Sequence, residues 1–188
     1  MLNLVDGMVL YHGSYCEISS PDLDKCAPYK DFGKGFYLTT SYQQARKFID
    51  TSLKKAKAQN LIEQDQNYGV ITMFKYHSDG KLKIQTYADA NAEWLHCVVA
   101  HRKNKAFPEV IEALKKYDVV VGKIADDATN YTILAYIAGT YGDIGSKEAD
   151  AFCISRLLPD RLENQYCFRT ERALECLEFM ESEKIWKN

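Results

Sequence analysis

The residues best equipped for chemistry fall in three places: Tyr11-His12-Gly13, Asp31-Phe32-Gly33-Lys34-Gly35-Phe36-Tyr37, and Asn164-Gln165-Tyr166-Cys167-Phe168. Gly33 and Gly35 permit a tight, open backbone that a ligand can approach closely; a plain turn is the alternative. His12 ends a short strand beside Gly13, where an imidazole serves as a hydrogen-bonding group or as a structural residue. Tyr37 offers a ring face to a flat ligand or packs as an ordinary strand tyrosine. Gln165 can hydrogen-bond, but it can neither carry charge nor act as a base. Glu163 lies two residues earlier on the same strand face, as a partial substitute or a solvated strand-end carboxylate. Asp126 and Asp127 stand between a strand and a helix, where acidic side chains suit the helix N-terminus or orient an acceptor.

The elements that must position these groups read in order. Met8–His12, Phe36–Leu38, Val70–Tyr76, Lys81–Tyr87, Asp118–Ile124 and Leu162–Arg169 have strand character. Ser78-Asp79-Gly80 reads as the turn of a hairpin joining the third and fourth of these. Ser41 with Gln44 forms a capping box that opens a helix from Tyr42 to about Ala58. Further helices are expected over Asn91–Lys103, with Trp94, Leu95, Val98 and Val99 facing the core, and over Pro108–Lys116 and Thr129–Ala138. Ser146 caps another helix to Leu157, and Thr170 caps a C-terminal helix to about Glu183. Ser19–Lys30, with Pro21 and Pro28, reads as loop. Interspersed strands and helices give an α+β class.

Composition narrows the function. A length of 188 residues suits a single domain over 1–188. A net charge of -2 gives no nucleic-acid footprint. Met1–Leu10 lacks a basic segment followed by a long apolar run, which predicts neither export signal nor membrane span and a cytoplasmic protein. Cys16, Cys26, Cys97, Cys153, Cys167 and Cys176 contain no C-x-x-C pair. They predict reduced, mostly buried thiols and no metal site. Thirteen tyrosines and eight phenylalanines pack a core, and some can stack on flat ligand rings.

The three motifs, in this order, resemble the diphtheria-toxin and poly-ADP-ribose-polymerase branch of ADP-ribosyltransferases. That branch carries a first-strand histidine, a tyrosine in a G-K-G-x-Y-F segment and a late-strand glutamate. The middle motif, F-G-K-G-F-Y here, is the most specific. The whole chain also resembles an uncharacterised bacterial family distantly related to that branch. This resemblance lies on Tyr11 to about Phe48, Glu93-Trp94-Leu95 with Val98 to Arg102, Asp118 to Asp127, and Gln165 to Phe179.

The resemblance implies two mainly antiparallel sheets around an NAD cleft, with surrounding helices. It implies transfer of a single ADP-ribose from NAD to an acceptor, expected to be a protein, with release of nicotinamide. Non-catalytic binding of NAD or ADP-ribose and weak NAD hydrolysis stand as alternatives. On this reading His12, Tyr37 and Gln165 form the catalytic set. His12, Gly13, Ser14, Gly35, Tyr37 and Phe48 bind NAD: His12 through a ribose hydroxyl, Gly13 through the carboxamide, Tyr37 and Phe48 by stacking. The chain departs from the branch twice. Ala45 stands where a serine bonds the carboxamide, and Gln165 where the glutamate supports the developing positive charge.

Overall fold

Why the chain splits into two sheets is visible at Ser78-Asp79-Gly80. The computed structural model describes residues 3–102, 106–125, 127–158 and 162–187. Within them, β1 (Val9–Ser14), β3 (Tyr68–Tyr76) and β7 (Leu177–Trp186) form one antiparallel sheet, in the order β1-β3-β7. The second sheet has the order β2-β6-β5-β4, with β2 at Phe36–Leu38, β4 at Ile84–Thr86, β5 at Val119–Lys123 and β6 at Asn164–Phe168. Its β4–β5 pair is parallel and the others antiparallel. The fold is therefore α+β, as the sequence pattern suggests, with two mostly antiparallel sheets.

The expected hairpin between Val70–Tyr76 and Lys81–Tyr87 does not form, because the turn carries the chain from one sheet to the other. Asp79 accepts the backbone N–H groups of Lys81 and Leu82 and pairs with Arg172, at 2.8 Å from its nearest guanidinium nitrogen. Asp118 accepts the N–H of Lys83 and so draws β4 alongside β5.

The C-terminal helix to Glu183 is also corrected. Thr170 caps as expected, accepting the N–H of Ala173, but α6 spans only Glu171–Leu174. The chain then extends as β7, in register with β3 from Tyr76↔Leu177 to Tyr68↔Trp186. Cross-strand backbone bonds along the whole of β3 outweigh the local helical preference of this glutamate-rich segment.

The remaining helices are α1 (Tyr42–Ala58), α2 (Ala92–Arg102), α3 (Pro108–Leu114), α4 (Asp127–Ile137) and α5 (Lys147–Leu157). Ser41 caps α1 through Gln44 N–H, and Asn91 accepts the N–H of Trp94 at the start of α2. Trp94, Leu95 and Cys97 to His101 of α2 are all buried, which would be unusual for a surface helix; α2 is packed on nearly all sides, with Trp94, Leu95, Val98 and Val99 fully buried.

Three packed regions follow from this layering. Leu10, Phe36, Leu38, Phe74, Val119, Val121, Tyr166 and Phe168 fill the space between the sheets. Ala45, Ile49 and Leu53 of α1 cover the outer face of the first sheet. Helices α2, α4 and α5 cover the far face of the second, over Val120 and Cys167. All six cysteines are free, with Cys97, Cys153, Cys167 and Cys176 buried. Among the described residues no helix is long and apolar enough to cross a membrane.

β7 is an edge strand bonded on one side only. Hydrogen exchange should therefore find alternating slow and fast amides through Leu177–Trp186. A continuous protected run through Glu183 would mean a helix instead.

Candidate functional site

β1 and β2 begin as neighbours and then separate. Tyr11 and Thr39 exchange both backbone hydrogen bonds, at 2.8 and 3.0 Å. Residues two apart in a strand direct their N–H and C=O to the same side. Gly13 therefore points its backbone groups away from β3 and towards β2, opposite Tyr37. The ladder stops there because the His12 imidazole takes its place. His12 Nδ1 lies 2.8 Å from the Tyr37 carbonyl and its ring lies on Phe36, with centroids 4.5 Å apart. The Gly13 N–H and C=O are left in the opening, with no partner among the described residues.

That contact fixes the imidazole. A carbonyl only accepts, so Nδ1 carries the proton and Nε2 is an acceptor in the neutral ring. Burial holds the His12 pKa below its usual value, and the charge of Lys30 pushes the same way. His12 is thus a neutral group offering an acceptor nitrogen.

Gly13 serves packing as well. A Cβ there would lie 1.9 Å from the Ala45 carbonyl oxygen, so α1 touches β1 backbone to backbone. Ala45 itself is buried at this contact. Phe48, three residues further along α1, is 40% exposed, so it is not a core residue. The Lys30 ammonium sits 5.6 Å above its ring centroid. Ser14 is buried at the end of β1.

The glycine segment crosses the second sheet at close range. At Gly35 a Cβ would meet Cys167 Sγ at 2.5 Å, and at Gly33, where φ is +81°, the His101 ring at 2.6 Å. Only glycine fits both demands at Gly33. The Tyr37 hydroxyl reaches back to this segment, accepting from Phe32 N–H at 2.9 Å and donating to the Gly33 carbonyl at 2.8 Å. Burial raises its pKa well above the usual value, so it remains a phenol.

Tyr37 pairs with Cys167, and Gln165 lies two residues before Cys167. Both side chains therefore rise from the same face of the second sheet, and both reach the loop ahead of β2. Gln165 Nε2 donates to Asp31 Oδ2 at 2.9 Å and to the Lys123 carbonyl at 3.2 Å. Asp31 is itself buried, and four donors converge on it. Ala125 N–H and the Gln165 amide reach one oxygen; Arg102 Nε and Nη2 reach the other, at 3.2 and 2.6 Å.

Glu163 lies elsewhere. It is exposed and accepts from the Ser41 hydroxyl at 3.5 Å, at the start of α1. Asp127 opens α4, and Asp126 lies outside the described residues. No cluster of metal-ligating side chains occurs among the described residues. A cavity of about 700 Å³ lined by Asp79, Lys81, Arg172, Glu175 and Cys176 shares no residue with this site.

The sequence reading named Asp31 only as part of the glycine segment, and gave no role to Asp31, Arg102 or Lys30. Arg102 carried a signal: a charge ending a helix as apolar as Trp94–His101 must find a partner as that helix is buried.

The sequence matches, over residues 8–179, the family described as a protein of unknown function (DUF3990). The chain belongs to that family. A search of curated proteins finds no match.

Two outcomes follow from this geometry. Gly13→Ala forces the α1–β1 contact apart and should cost about 3 kcal/mol in urea denaturation. His12 and His101 both titrate below the ordinary histidine value, chiefly through burial. The unfolded chain then binds protons that the folded chain does not. Stability is complete above the ordinary value near 6.5 and is lost as pH falls from there towards the lowered values. The melting temperature should fall between about pH 7 and pH 5. Replacing both histidines by asparagine should flatten the profile.

Proposed function

We propose that this domain is ADP-ribosyltransferase-like and transfers a single ADP-ribose from NAD to a protein acceptor, releasing nicotinamide. The observation that carries the reading is the free Gly13 N–H and C=O in the gap that His12 opens between β1 and β2. A carboxamide is the group that fits such a pair: its N–H₂ donates to the carbonyl and its C=O accepts from the N–H.

The neighbouring groups suit the rest of a nicotinamide riboside. Neutral His12 accepts from a ribose hydroxyl through Nε2. Phe48 and Tyr37 supply ring faces. Gln165 supplies an acceptor for a hydroxyl of the nicotinamide ribose. In the reaction the bond between that ribose and the nicotinamide nitrogen breaks. The electron pair leaves with the ring, which becomes neutral. The ribosyl cation is captured by an acceptor oxygen or nitrogen that gives up its proton. The protein's part is to hold the riboside and shield it from water.

A second reading, an NAD or ADP-ribose binding module, is favoured by one observation. The site's buried carboxylate, Asp31, is neutralised by Arg102 and faces an amide.

NAD should raise the melting temperature, because a ligand of the folded state alone stabilises it. Phe48 is exposed, so Phe48→Ala should leave the unliganded protein within about 0.5 kcal/mol of wild type while removing most of the NAD shift. With labelled NAD, release of nicotinamide supports the transferase and retention without release the binding module. No shift with wild-type protein would defeat both readings.

A further inference from the structure

Gln165 is the point at which this chain differs most from a site built around a carboxylate, and its orientation is fixed. Its Nε2 contacts, Asp31 Oδ2 and the Lys123 carbonyl, are both acceptors. The amide nitrogen must face them and Oε1 must face away. Gln165 is only 7% exposed, yet Oε1 has no donor among the described residues. Oε1 is not one of the buried side-chain atoms left without a partner, so it keeps access to the site, where a ligand hydroxyl can supply its donor.

We propose that Asp31 is a positioning residue for this site. It forms one acid–amide unit with Gln165, holding the unit's single charge and turning the Gln165 carbonyl oxygen to a ribose hydroxyl of the ligand. The proposal rests on the NAD reading above and deepens it.

The geometry explains why a glutamine stands here. A glutamate at 165 would set its carboxylate against Asp31 at the present 2.9 Å spacing and against the Lys123 carbonyl. Two buried carboxylates at that distance cannot both ionise without large cost. One negative charge has room in the unit, and Arg102 with Ala125 N–H holds it on Asp31. Moving the charge to position 165 therefore requires removing it from position 31.

The test is a double-mutant cycle in the full chain, read by melting temperature, by the NAD-induced shift and by nicotinamide release. Gln165→Glu alone should lower the melting temperature by roughly 10 °C, as unpaired buried charge does in a chain of this size, and should not increase nicotinamide release. Adding Asp31→Asn should raise the melting temperature of that variant, because the asparagine amide then donates to Glu at 165. Recovery is partial, since an amide nitrogen in place of Asp31 Oδ2 leaves the Ala125 N–H without its acceptor. The double variant should release nicotinamide about tenfold faster than wild type, the equivalent of ~1.4 kcal/mol, with the gain in kcat and KM for NAD unchanged. A purely structural pairing would restore the melting temperature without that gain.

Three results would overturn the proposal. The first is that Asp31→Asn adds its own loss to that of Gln165→Glu, so that the double variant is the least stable. The second is that Gln165→Glu alone accelerates nicotinamide release with Asp31 in place. The third is a double variant that binds NAD and releases nicotinamide no faster than wild type. If NAD shifts none of the proteins, wild type included, the NAD reading itself fails and the proposal falls with it; additive losses with NAD binding intact defeat the proposal alone.

Discussion

The Asp31 carboxylate, taken out of water and met by four donors, holds the site in one arrangement. Its partners come from the end of α2, the residues after β5 and the middle of β6. Its own place is in the loop before β2. That single side chain ties the loop to the second sheet and to the helices behind it. An ion pair buried like this one adds little over a well-packed apolar pair, but loss of one partner costs about 3–5 kcal/mol. The network therefore selects an arrangement more than it adds stability. With Asp31 fixed, Phe32 lies buried against Gly122, Gly33 lies on His101, and the Tyr37 hydroxyl closes the segment.

A second constraint acts on the backbone. Two strands that could pair along their length are bonded at Tyr11–Thr39 only, because an imidazole occupies the next carbonyl. An interrupted ladder exposes main-chain groups that a continuous one would consume. The interruption is stabilised from both sides: α1 presses on Gly13, and His12 rests on Phe36. Asp31 orders the far side of the opening and His12 holds it apart, so a loop residue and a strand residue define it together.

Much of this was legible in the sequence. The capping residues Ser41, Ser146 and Thr170 act as their spacing suggests, and the apolar run from Trp94 to Val99 is buried. What failed were pairings. Lys81–Tyr87 has the alternation of a hairpin strand, but alternation does not say which sheet receives it; Asp118 and Arg172, distant in sequence, decide that. The segment from Thr170 to about Glu183 reads as helix because the strand partner of β7 lies a hundred residues earlier. In the site, His12, Gly13, Tyr37 and Gln165 were singled out through the resemblance that their motifs carry; Tyr37 and Gln165 share one sheet face, and His12 meets the Tyr37 carbonyl. Asp31 and Arg102 were not singled out, since their roles arise only where loop, helix and sheet meet.

The placement of charge sets what the proposed site can do. Departure of nicotinamide leaves positive charge on the ribose, and a carboxylate aimed at it favours the transition state over bound NAD. Here the nearest buried carboxylate is balanced by Arg102, and the Lys30 ammonium adds positive charge close to His12. The field at the Gln165 carbonyl is thus a dipole's rather than an ion's. A dipole falls off faster with distance and stabilises a neighbouring cation less. Binding groups, by contrast, need no net charge: the Gly13 main chain, neutral His12 and the aromatic faces serve NAD equally before and during bond cleavage. On the proposed reading, then, the site is built to hold NAD well and to turn it over slowly, and a bound acceptor that brings its own negative charge would supply what the protein withholds.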